Sequence, residues 1–285
     1  MYDLMIIGSG PAGISAALTA KARNLNFIWF GSRALSTKIE KAEKIMNYPG
    51  LPAVTGSEMQ SVFLKQIDDC GITITESQVN SIYDCSGYFA AGADNEIYEA
   101  KAVIMTVGMT TTREIEGEAR LLGCGVSYCA TCDGALYKNK DIAVICASPI
   151  FEDEVTFLAG LANHIYLFTP YKETTLQYDN ITHFNGLPAS VDGDKKVASV
   201  TFKGEAIPVS GAFFLKDSIN PGVLLSGLDM AGGHIIVDRT LKTNIDGVYA
   251  AGDCTGRPYQ YAKAVGEGNV AVHSVLDYLK KHKDN

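Results

Sequence analysis

The stretch DLMIIGSGPAGISAAL, residues 3–18, decides the fold of this chain. An apolar strand runs into a GxGxxG turn formed by Gly8, Gly10 and Gly13, and a helix-forming segment follows. The first glycine permits the tight turn, the second lets a pyrophosphate approach the backbone, and the third lets helix and strand pack closely. A second apolar strand over residues 26–30 completes the strand–turn–helix–strand unit. This context predicts a dinucleotide-binding domain of the doubly wound α/β class.

The end of the second strand does not specify which dinucleotide binds. In such folds an acidic residue at this point holds a ribose 2′-hydroxyl. Here the chain reads Phe30-Gly31-Ser32-Arg33, without an aspartate or a glutamate. The glycine turn therefore predicts the scaffold and leaves the identity of the ligand open.

Length, charge and cysteine content narrow the class of protein. A chain of 285 residues, 47% of them hydrophobic, is long enough to bury a core in two domains. No apolar run approaches the roughly 18 residues of a membrane span, and the first apolar stretch lacks the basic flank of a signal peptide. A net charge of −8 predicts that nucleic acid is not a partner. Seven cysteines, an odd number, indicate a reducing cytoplasm rather than a secreted disulfide framework.

A second motif, YCATCDG at residues 128–134, predicts redox chemistry. Cys129 and Cys132 have the CxxC spacing that closes a small disulfide ring, and this ring exchanges two electrons for one covalent bond. Asp133 directly follows the second thiol, where a carboxyl group can act as its proton donor. A zinc site would need two further ligands at similar spacing, and the sequence contains no second CxxC and no HxxxH. Two buried free thiols are the remaining alternative.

The region after the CxxC keeps the strand pattern of a nucleotide-binding unit without its binding chemistry. The strand over residues 141–146 is followed by ASPIFE at 147–152, which offers no glycine for a phosphate turn. Glu152 and Asp153 would repel a phosphate at the start of the next helix. The following strand leads into TPYK at 169–172, without the arginines that hold a 2′-phosphate. The sequence therefore predicts a degenerate nucleotide-binding domain here.

The last part of the chain predicts a return to the first domain. Residues 210–216 read as the returning strand, and TNIDGVYAAGD at 243–253 reads as a strand that ends in Gly252 and Asp253. A carboxylate beyond the carboxyl end of a parallel strand lies where such folds bind ligands, and it can accept hydrogen bonds from sugar hydroxyls. An ordinary strand-end cap is the simpler alternative. A closing helix is predicted over residues 261–281.

Five motifs together resemble the low-molecular-weight thioredoxin reductases. They occur in that family's order and span nearly the whole chain: GSGPAG at 8–13, NYPG at 47–50, TVG at 106–108, YCATCDG at 128–134 and TNIDGVYAAGD at 243–253. The resemblance implies an α/β fold with two Rossmann-like, doubly wound domains, and a homodimer. Residues 1–111 and 210–285 would form a discontinuous FAD-binding domain with a small β-meander. Residues 112–209 would form an inserted central domain that carries the CxxC.

The resemblance also assigns residues to roles. Cys129 and Cys132 would be the redox pair, and Asp133 would be the proton donor. Tyr259 or Tyr261 could stack on the flavin, or could pack in the core or at the surface. The residues that would contact FAD lie in the glycine turn, in the NYPG and TVG segments, and around the last strand and helix. They are Gly8, Gly10, Pro11, Ala12, Gly13, Asn47, Gly108, Gly252, Asp253, Tyr261 and Ala262.

Two departures from the family pattern concern the electron donor. NADPH-dependent members carry a glycine loop near residues 147–152 and an arginine-rich stretch near 169–175, and both are replaced here. The whole pattern resembles the ferredoxin-dependent flavin thioredoxin reductases. We therefore expect a cytoplasmic enzyme in which reduced ferredoxin, through FAD and the Cys129–Cys132 disulfide, reduces thioredoxin without NADPH.

Other donors and a non-enzymatic role stay open at this point. A reduced deazaflavin needs no NADP-binding arginines, and an unusual NAD(P)H site would escape recognition by motif. The chain could also be a non-catalytic, flavin-binding redox sensor whose disulfide changes a partner surface. Lys38, Lys41 and Lys44 are candidates for docking an acidic ferredoxin, although such a run more often forms a solvated face.

Overall fold

The computed structural model describes residues 1–36, 39, 42–94, 96–109, 115–216 and 220–282. The chain forms two compact units, Met1–Met109 with Pro221–Asn285, and Thr110–Asn220. Each unit has its own parallel sheet. Two of the proposed docking residues, Lys38 and Lys41, lie outside the described residues.

Four parallel strands form the central sheet of the first unit: β1 (Leu4–Ile7), β2 (Phe27–Phe30), β6 (Val103–Met105) and β17 (Val248–Ala250). Their order across the sheet is β17–β6–β1–β2. Met5 of β1 pairs with Ile28 on one side and with Val103 on the other, and all of β1 is buried. Because the strands are parallel, their carboxyl ends lie along one edge, where the glycine turn begins.

The helices of the first unit whose full extent lies within the described residues are α1 (Pro11–Ala22), α2 (Gly56–Asp69), α5 (Pro221–Leu224) and α6 (Tyr261–Lys281). The closing helix, α6, begins and ends where the sequence predicts. A Cβ at Gly268 of α6 would lie 2.2 Å from the carbonyl oxygen of Ala12 in α1, so only glycine allows the two helices to approach this closely. Met59, Phe63 and Ile67 of α2 are buried in the same hydrophobic core.

Antiparallel elements complete the first unit. The predicted meander is formed by β3 (Val79–Asp84), β4 (Phe89–Ala93) and β5 (Glu96–Ala100). After β5 the chain changes sheets, because β5 pairs antiparallel with β4 whereas β6 pairs parallel with β1. A short hairpin follows in the returning segment, between β15 (Met230–Ala231) and β16 (His234–Ile235).

Five parallel strands form the central sheet of the second unit: β7 (Val126–Ser127), β8 (Asp141–Cys146), β9 (His164–Thr169), β10 (Ile181–Asn185) and β14 (Gly211–Leu215). Their order is β10–β9–β8–β14–β7. A separate antiparallel sheet contains β11 (Ser190–Asp192), β12 (Ser199–Phe202) and β13 (Glu205–Pro208). The helices here are α3 (Ala130–Asp133) and α4 (Glu152–Ala159). Within the described ranges of both units, no helix is long and apolar enough to span a membrane.

The chain returns to the first unit later than predicted. Residues 210–216 were expected to begin the returning segment, but β14 pairs in parallel with β8 of the second unit, with Phe213 opposite Val144. All five residues of β14 are buried. An apolar strand of this kind suits either sheet, so its composition cannot assign it, and the pairing with β8 does. The first unit resumes at Pro221.

Candidate active site

The CxxC motif forms a disulfide in the second unit. The sulfur atoms of Cys129 and Cys132 lie 1.98 Å apart, and their Cα atoms lie 5.3 Å apart. Cys129 precedes α3, and the backbone N–H of Cys132 donates to the Cys129 sulfur at 3.1 Å. The Thr131 hydroxyl lies 3.4 Å from the same sulfur. Cys129 is buried and Cys132 is partly exposed, so Cys132 is the more accessible of the two.

Asp133, the predicted proton donor, is held beside the disulfide by Ser127. The Ser127 hydroxyl donates to the Asp133 carboxylate at 2.6 Å. The Ser127 hydroxyl oxygen also accepts the backbone N–H of Cys129 at 3.1 Å. Ser127 is the buried last residue of β7. One hydroxyl therefore links the carboxylate to the backbone of the first cysteine. Sequence reasoning missed Ser127, although a polar residue that ends an apolar strand next to the motif was a usable signal.

The glycine turn of the first unit lies at the carboxyl end of β1. Gly8 has a φ of +112°, and a Cβ there would lie 2.4 Å from the carbonyl oxygen of Thr106. A Cβ at Gly13 would lie 1.9 Å from the carbonyl oxygen of Gly8. In contrast, a Cβ at Gly10 would meet no atom of the described residues within 4 Å. The backbone of Gly10 therefore faces open space at the start of α1, which is what an approaching phosphate requires.

Pro11 and Ala12 form the first turn of α1 beside this opening. No described side chain caps the helix, so its first N–H groups and their partial positive charge suit an anionic ligand. A Cβ at Gly252, where φ is +91°, would lie 3.0 Å from the Cβ of Ala12. The structure thus brings the Gly252–Asp253 segment against the glycine turn. Gly108, with a φ of +66°, follows β6 at the same edge of the sheet.

The last helix fixes the segment that carries Asp253. Lys263 donates to the carbonyl oxygens of Gly252 at 2.8 Å and Gly256 at 2.7 Å. Glu267, one turn further along α6, accepts the backbone N–H of Gly252 at 2.8 Å and pairs with Lys263 at 3.3 Å. Sequence reasoning missed this pair, although an i, i+4 lysine and glutamate near the start of a helix is a recognisable pattern.

The remaining predicted cofactor residues have different environments. The Asn47 amide donates to the Gln260 side chain at 2.7 Å, although the two residues are 213 positions apart. Tyr261 is partly buried and packs against the hydrophobic core of the first unit. Burial raises the pKa of its hydroxyl. Ala262 is exposed. Tyr261 therefore packs against the core, and its stacking on a flavin stays a prediction.

At the corresponding edge of the second unit, side chains of the unit hydrogen-bond to one another around the start of α4. After β8, a tight 3-10 turn over Pro149–Phe151 leads into α4, and Glu152 at the start of α4 is 8% exposed. The Glu152 carboxylate accepts the Thr175 hydroxyl at 2.6 Å and the Tyr171 hydroxyl at 3.2 Å. The Tyr171 hydroxyl also lies 3.2 Å from the Cys146 sulfur at the end of β8. The first residue of α4 therefore carries a buried carboxylate, at the kind of helix start near which such folds bind a nucleotide phosphate.

The negative charge of Glu152 is stabilised in this position. Burial by itself raises the pKa of Glu152, but hydrogen bonds from neighbouring hydroxyl groups, with Thr175 first, outweigh burial and hold that pKa below the ordinary glutamate value. Burial raises the pKa of the Tyr171 hydroxyl, which therefore stays protonated and can donate. Asp153 and Glu154 add two more carboxylates to the first turn of α4. The acidic helix start expected from the sequence is present, and the first of its three carboxylates, that of Glu152, is buried.

Comparison with known proteins accounts for both units together. The family described as pyridine nucleotide-disulphide oxidoreductase matches residues 2–179 and 185–268. A thioredoxin reductase of Helicobacter pylori is 31% identical to this chain, over 99% of this chain and 100% of that protein. The match therefore extends over the glycine turn, the CxxC and the Gly252–Asp253 segment alike.

Solved structures agree with this family. A ferredoxin-flavin thioredoxin reductase from Clostridium acetobutylicum has 43% identity and a TM-score of 0.92, and the match covers 100% of this chain and 99% of that one. An atypical thioredoxin reductase from Desulfovibrio vulgaris Hildenborough has 27% identity and a TM-score of 0.67, with 99% of both chains covered. The predicted resemblance and the predicted α/β fold class are confirmed. This chain belongs to the pyridine nucleotide-disulphide oxidoreductase family and is, within it, a flavoprotein disulfide oxidoreductase of the thioredoxin reductase type.

Proposed function

We propose that this thioredoxin reductase holds FAD in its first unit and takes its electrons from a reduced ferredoxin rather than from NADPH. The electrons leave through the Cys129–Cys132 disulfide and reduce a thioredoxin. The observation that carries this assignment is the buried Glu152 carboxylate at the helix start in the second unit, where a pyridine nucleotide phosphate would bind. The similarity to a ferredoxin-flavin thioredoxin reductase supports the choice of donor.

The second unit disfavours a pyridine nucleotide for three reasons. A phosphate at the start of α4 would approach a charged carboxylate, and like charges at close range cost several kcal/mol. Residues 147–159 contain no glycine that could bring the backbone to a phosphate. The stretch TPYKETT at 169–175 contains one lysine and no arginine for a 2′-phosphate. This sheet edge therefore does not attract a phosphate, does not let the backbone approach it, and has no arginine to recognise the 2′-phosphate of NADPH.

The first unit has the features that a dinucleotide needs. The open face of Gly10 and the uncapped start of α1 suit a pyrophosphate, and Asp253, packed beside this turn, suits sugar hydroxyls. Asn47 and Gly108 are also among the residues to which we assign FAD contacts. Bound FAD supplies a carrier that accepts electrons singly and delivers them as a pair, which a one-electron iron–sulfur donor and a two-electron disulfide together require.

The Cys129–Cys132 dithiol would reduce thioredoxin by thiol–disulfide exchange. One enzyme thiolate attacks a sulfur of the thioredoxin disulfide, a mixed disulfide forms, and one thioredoxin thiolate leaves. The second enzyme thiolate then attacks the mixed disulfide, which restores the Cys129–Cys132 bond and releases the second thioredoxin thiolate. We assign Asp133, held by Ser127, to protonate the cysteine thiolate that departs when the enzyme disulfide is reduced.

The difference in reduction potential favours this direction. A low-potential ferredoxin at about −400 mV and a thioredoxin at about −270 mV differ by roughly 130 mV, or about 6 kcal/mol for two electrons. A hydride donor is therefore not required. Ferredoxins are usually acidic and this chain carries a net charge of −8, so attraction between them must come from a local basic patch. The exposed Lys44 is one candidate for it.

The experiment that tests the donor adds NADPH, NADH, reduced deazaflavin or reduced ferredoxin to the flavin-loaded protein under anaerobic conditions. Flavin absorbance and thioredoxin thiols are followed in parallel. We expect reduced ferredoxin to support thioredoxin reduction and NADPH to leave the absorbance unchanged. Cys132→Ser is the control, because its flavin should still respond to ferredoxin while thioredoxin stays oxidised.

Each other outcome of this experiment has its own meaning. Fast bleaching of the flavin by NADPH would contradict the assignment of Glu152. Turnover with deazaflavin but not with ferredoxin would replace the donor while keeping the enzyme class. Flavin reduction without any thioredoxin reduction would favour a redox sensor.

We also propose a cytoplasmic homodimer. The resemblance to the thioredoxin reductases is the basis for the dimer. The odd number of cysteines and the CxxC pair suit a reducing compartment. Light scattering on the flavin-loaded protein should give twice the mass of the chain, and a monomer would contradict the dimer.

A further inference from the structure

A buried ion pair lies behind the redox motif in the second unit. The side chains of Glu118 and Lys216 are 1% and 5% exposed, and the Lys216 ammonium donates to the Glu118 carboxylate. The same carboxylate oxygen accepts the Tyr128 hydroxyl at 2.7 Å, and the other oxygen accepts the backbone N–H of Ile115 at 3.0 Å. The thiol chemistry described above uses none of these groups.

The ion pair holds Tyr128 by both its hydroxyl and its ring. The hydroxyl donates to Glu118, and the Lys216 ammonium lies over the ring, 5.2 Å from its centre. Phe214, in β14, offers a second ring 5.5 Å from the same ammonium. Tyr128 is 5% exposed and directly precedes Cys129. The side chain of the residue before Cys129 therefore has little conformational freedom, and this restricts the backbone that leads into the disulfide.

The burial of this pair calls for a physical reason. Removing two charges from water has a large desolvation penalty, and apolar side chains of similar volume often stabilise a core equally well. Glu118 and Lys216 are 98 positions apart and join the first and last parts of the second unit. In some proteins, buried polar or ionic groups are retained because they specify one arrangement of the chain. Here that arrangement includes the residue next to the redox disulfide.

We propose that Glu118 and Lys216 are positioning residues for the Cys129–Cys132 couple. By holding Tyr128, they keep the Cys129 sulfur within reach of Cys132 and so raise the effective concentration of one thiol toward the other. A higher effective concentration favours the closed disulfide over the open dithiol. The pair therefore sets how readily the disulfide opens. This role rests on the thiol chemistry of the proposed function and is independent of the electron donor.

The first test is a thiol–disulfide equilibrium in the flavin-loaded protein. Dithiothreitol reduces the Cys129–Cys132 disulfide to two thiols and is itself oxidised to its cyclic disulfide. Tyr128→Phe removes one hydroxyl, keeps the ring beside Lys216 and leaves the ion pair intact. We expect this variant to shift the equilibrium toward the dithiol by about fivefold, because a charge-assisted hydrogen bond is lost. Alkylation of the two cysteines followed by mass spectrometry reports the ratio.

A second variant, E118Q/K216M, removes both charges at nearly constant volume. It leaves no unpaired charge from this pair, so we expect it to fold. The equilibrium should shift in the same direction by about threefold, because a glutamine side chain can still form a neutral hydrogen bond with the Tyr128 hydroxyl. Lys101→Met is the matched control, since it breaks the Lys101–Asp3 ion pair of the first unit, and its equilibrium should equal that of the wild type. If E118Q/K216M does not fold, Tyr128→Phe alone decides.

The second test follows a single turnover of chemically reduced enzyme with excess thioredoxin disulfide. For both variants we expect a lower maximal rate, with the half-saturating thioredoxin concentration changed by less than about twofold, because positioning acts on the enzyme sulfurs and not on thioredoxin binding. A purely structural pair would lower the melting temperature and leave equilibrium and rate unchanged, which overturns the proposed role. Both tests bypass ferredoxin, so they hold even if the donor is a different one.

Discussion

The two units of this protein use the edge of a parallel sheet in opposite ways. In the first unit, the turn after β1 leaves Gly10 facing open space at the uncapped start of α1. In the second unit, the turn after β8 leads to a buried Glu152 at the start of α4. The first edge has no acidic residue in its first helical turn, whereas the second carries a buried carboxylate as the first residue of its helix. A residue in the first helical turn can therefore change what an edge binds while the fold stays the same.

The second unit keeps its fold with a carboxylate at this helix start, because sheet pairing and ligand binding use different atoms. β8 pairs with β14 on one side and with β9 on the other, and its interior residues are buried. The Glu152 network uses side chains beyond the ends of these strands. The backbone hydrogen bonds and the apolar core of the unit therefore do not depend on whether this edge binds a nucleotide.

The turn after β1 is the open edge, and the turn after β8 is the closed edge. A carboxylate introduced at the open edge should remove the difference between the two. Gly10→Glu places a charged side chain at the start of α1, where φ is −73° and any residue is allowed. We expect a folded protein whose affinity for FAD falls by about 100-fold or more, because the carboxylate repels the pyrophosphate. Flavin absorbance after purification and titration of the apoprotein with FAD measure the loss.

Gly10→Gln is matched to Gly10→Glu in size and lacks its charge, so it separates repulsion from obstruction. We expect the glutamine variant to bind FAD about tenfold more tightly than the glutamate variant, from the missing repulsion alone. Equal affinities of the two variants would mean that charge plays no part in the difference between the edges.

The closed edge can be tested through its stability. Glu152→Gln replaces a charged acceptor by a neutral one, and we expect the free energy of unfolding to fall by about 2 kcal/mol at neutral pH. Asp153→Asn is the control, because it removes a charge from the same turn at an exposed position. It should change the free energy of unfolding by less than about 0.5 kcal/mol. Urea unfolding monitored by circular dichroism gives both values.

The same pair of variants has a pH signature. Because the pKa of Glu152 is lowered in the folded protein by its hydroxyl partners, its charge contributes stability above the unfolded value of about 4.3. That contribution is lost as the pH falls through the lower, folded pKa. The difference between wild type and Glu152→Gln should be full at neutral pH and shrink below about pH 4. A difference that does not depend on pH would contradict an ionised Glu152.

The smallest effect is expected where α6 holds the open edge. Glu267→Gln weakens the charge-assisted bond to the N–H of Gly252, so the segment that carries Asp253 gains freedom. We expect FAD to bind about tenfold more weakly, which calorimetric titration of the apoprotein measures. Asp277→Asn removes an exposed ion pair from the same helix and should leave the affinity unchanged. Wild-type affinity in Glu267→Gln would leave the Lys263–Glu267 pair without a role in cofactor binding.

Features that depend on neighbouring residues could be predicted from the sequence. The glycine turn follows from positions such as Gly13, where the carbonyl oxygen of the nearby Gly8 excludes a side chain. The Cys129–Cys132 bond closes over three positions, and α6 follows from apolar spacing that matches one helix face. In each case the interacting atoms are close along the chain, so residue type and spacing carry the information.

Tertiary structure alone decided the features that join distant parts of the chain. β14 joins the second unit because its partner is β8, some seventy residues earlier, and its composition suits either sheet. Lys216 reaches Glu118 across 98 positions, and Asn47 reaches Gln260 across 213. Hydrogen bonds and ion pairs form between groups that are close in space, whereas a sequence pattern records only their separation along the chain. The motifs of this protein therefore predict its reactive residues, whereas the groups that position those residues are determined by the tertiary structure.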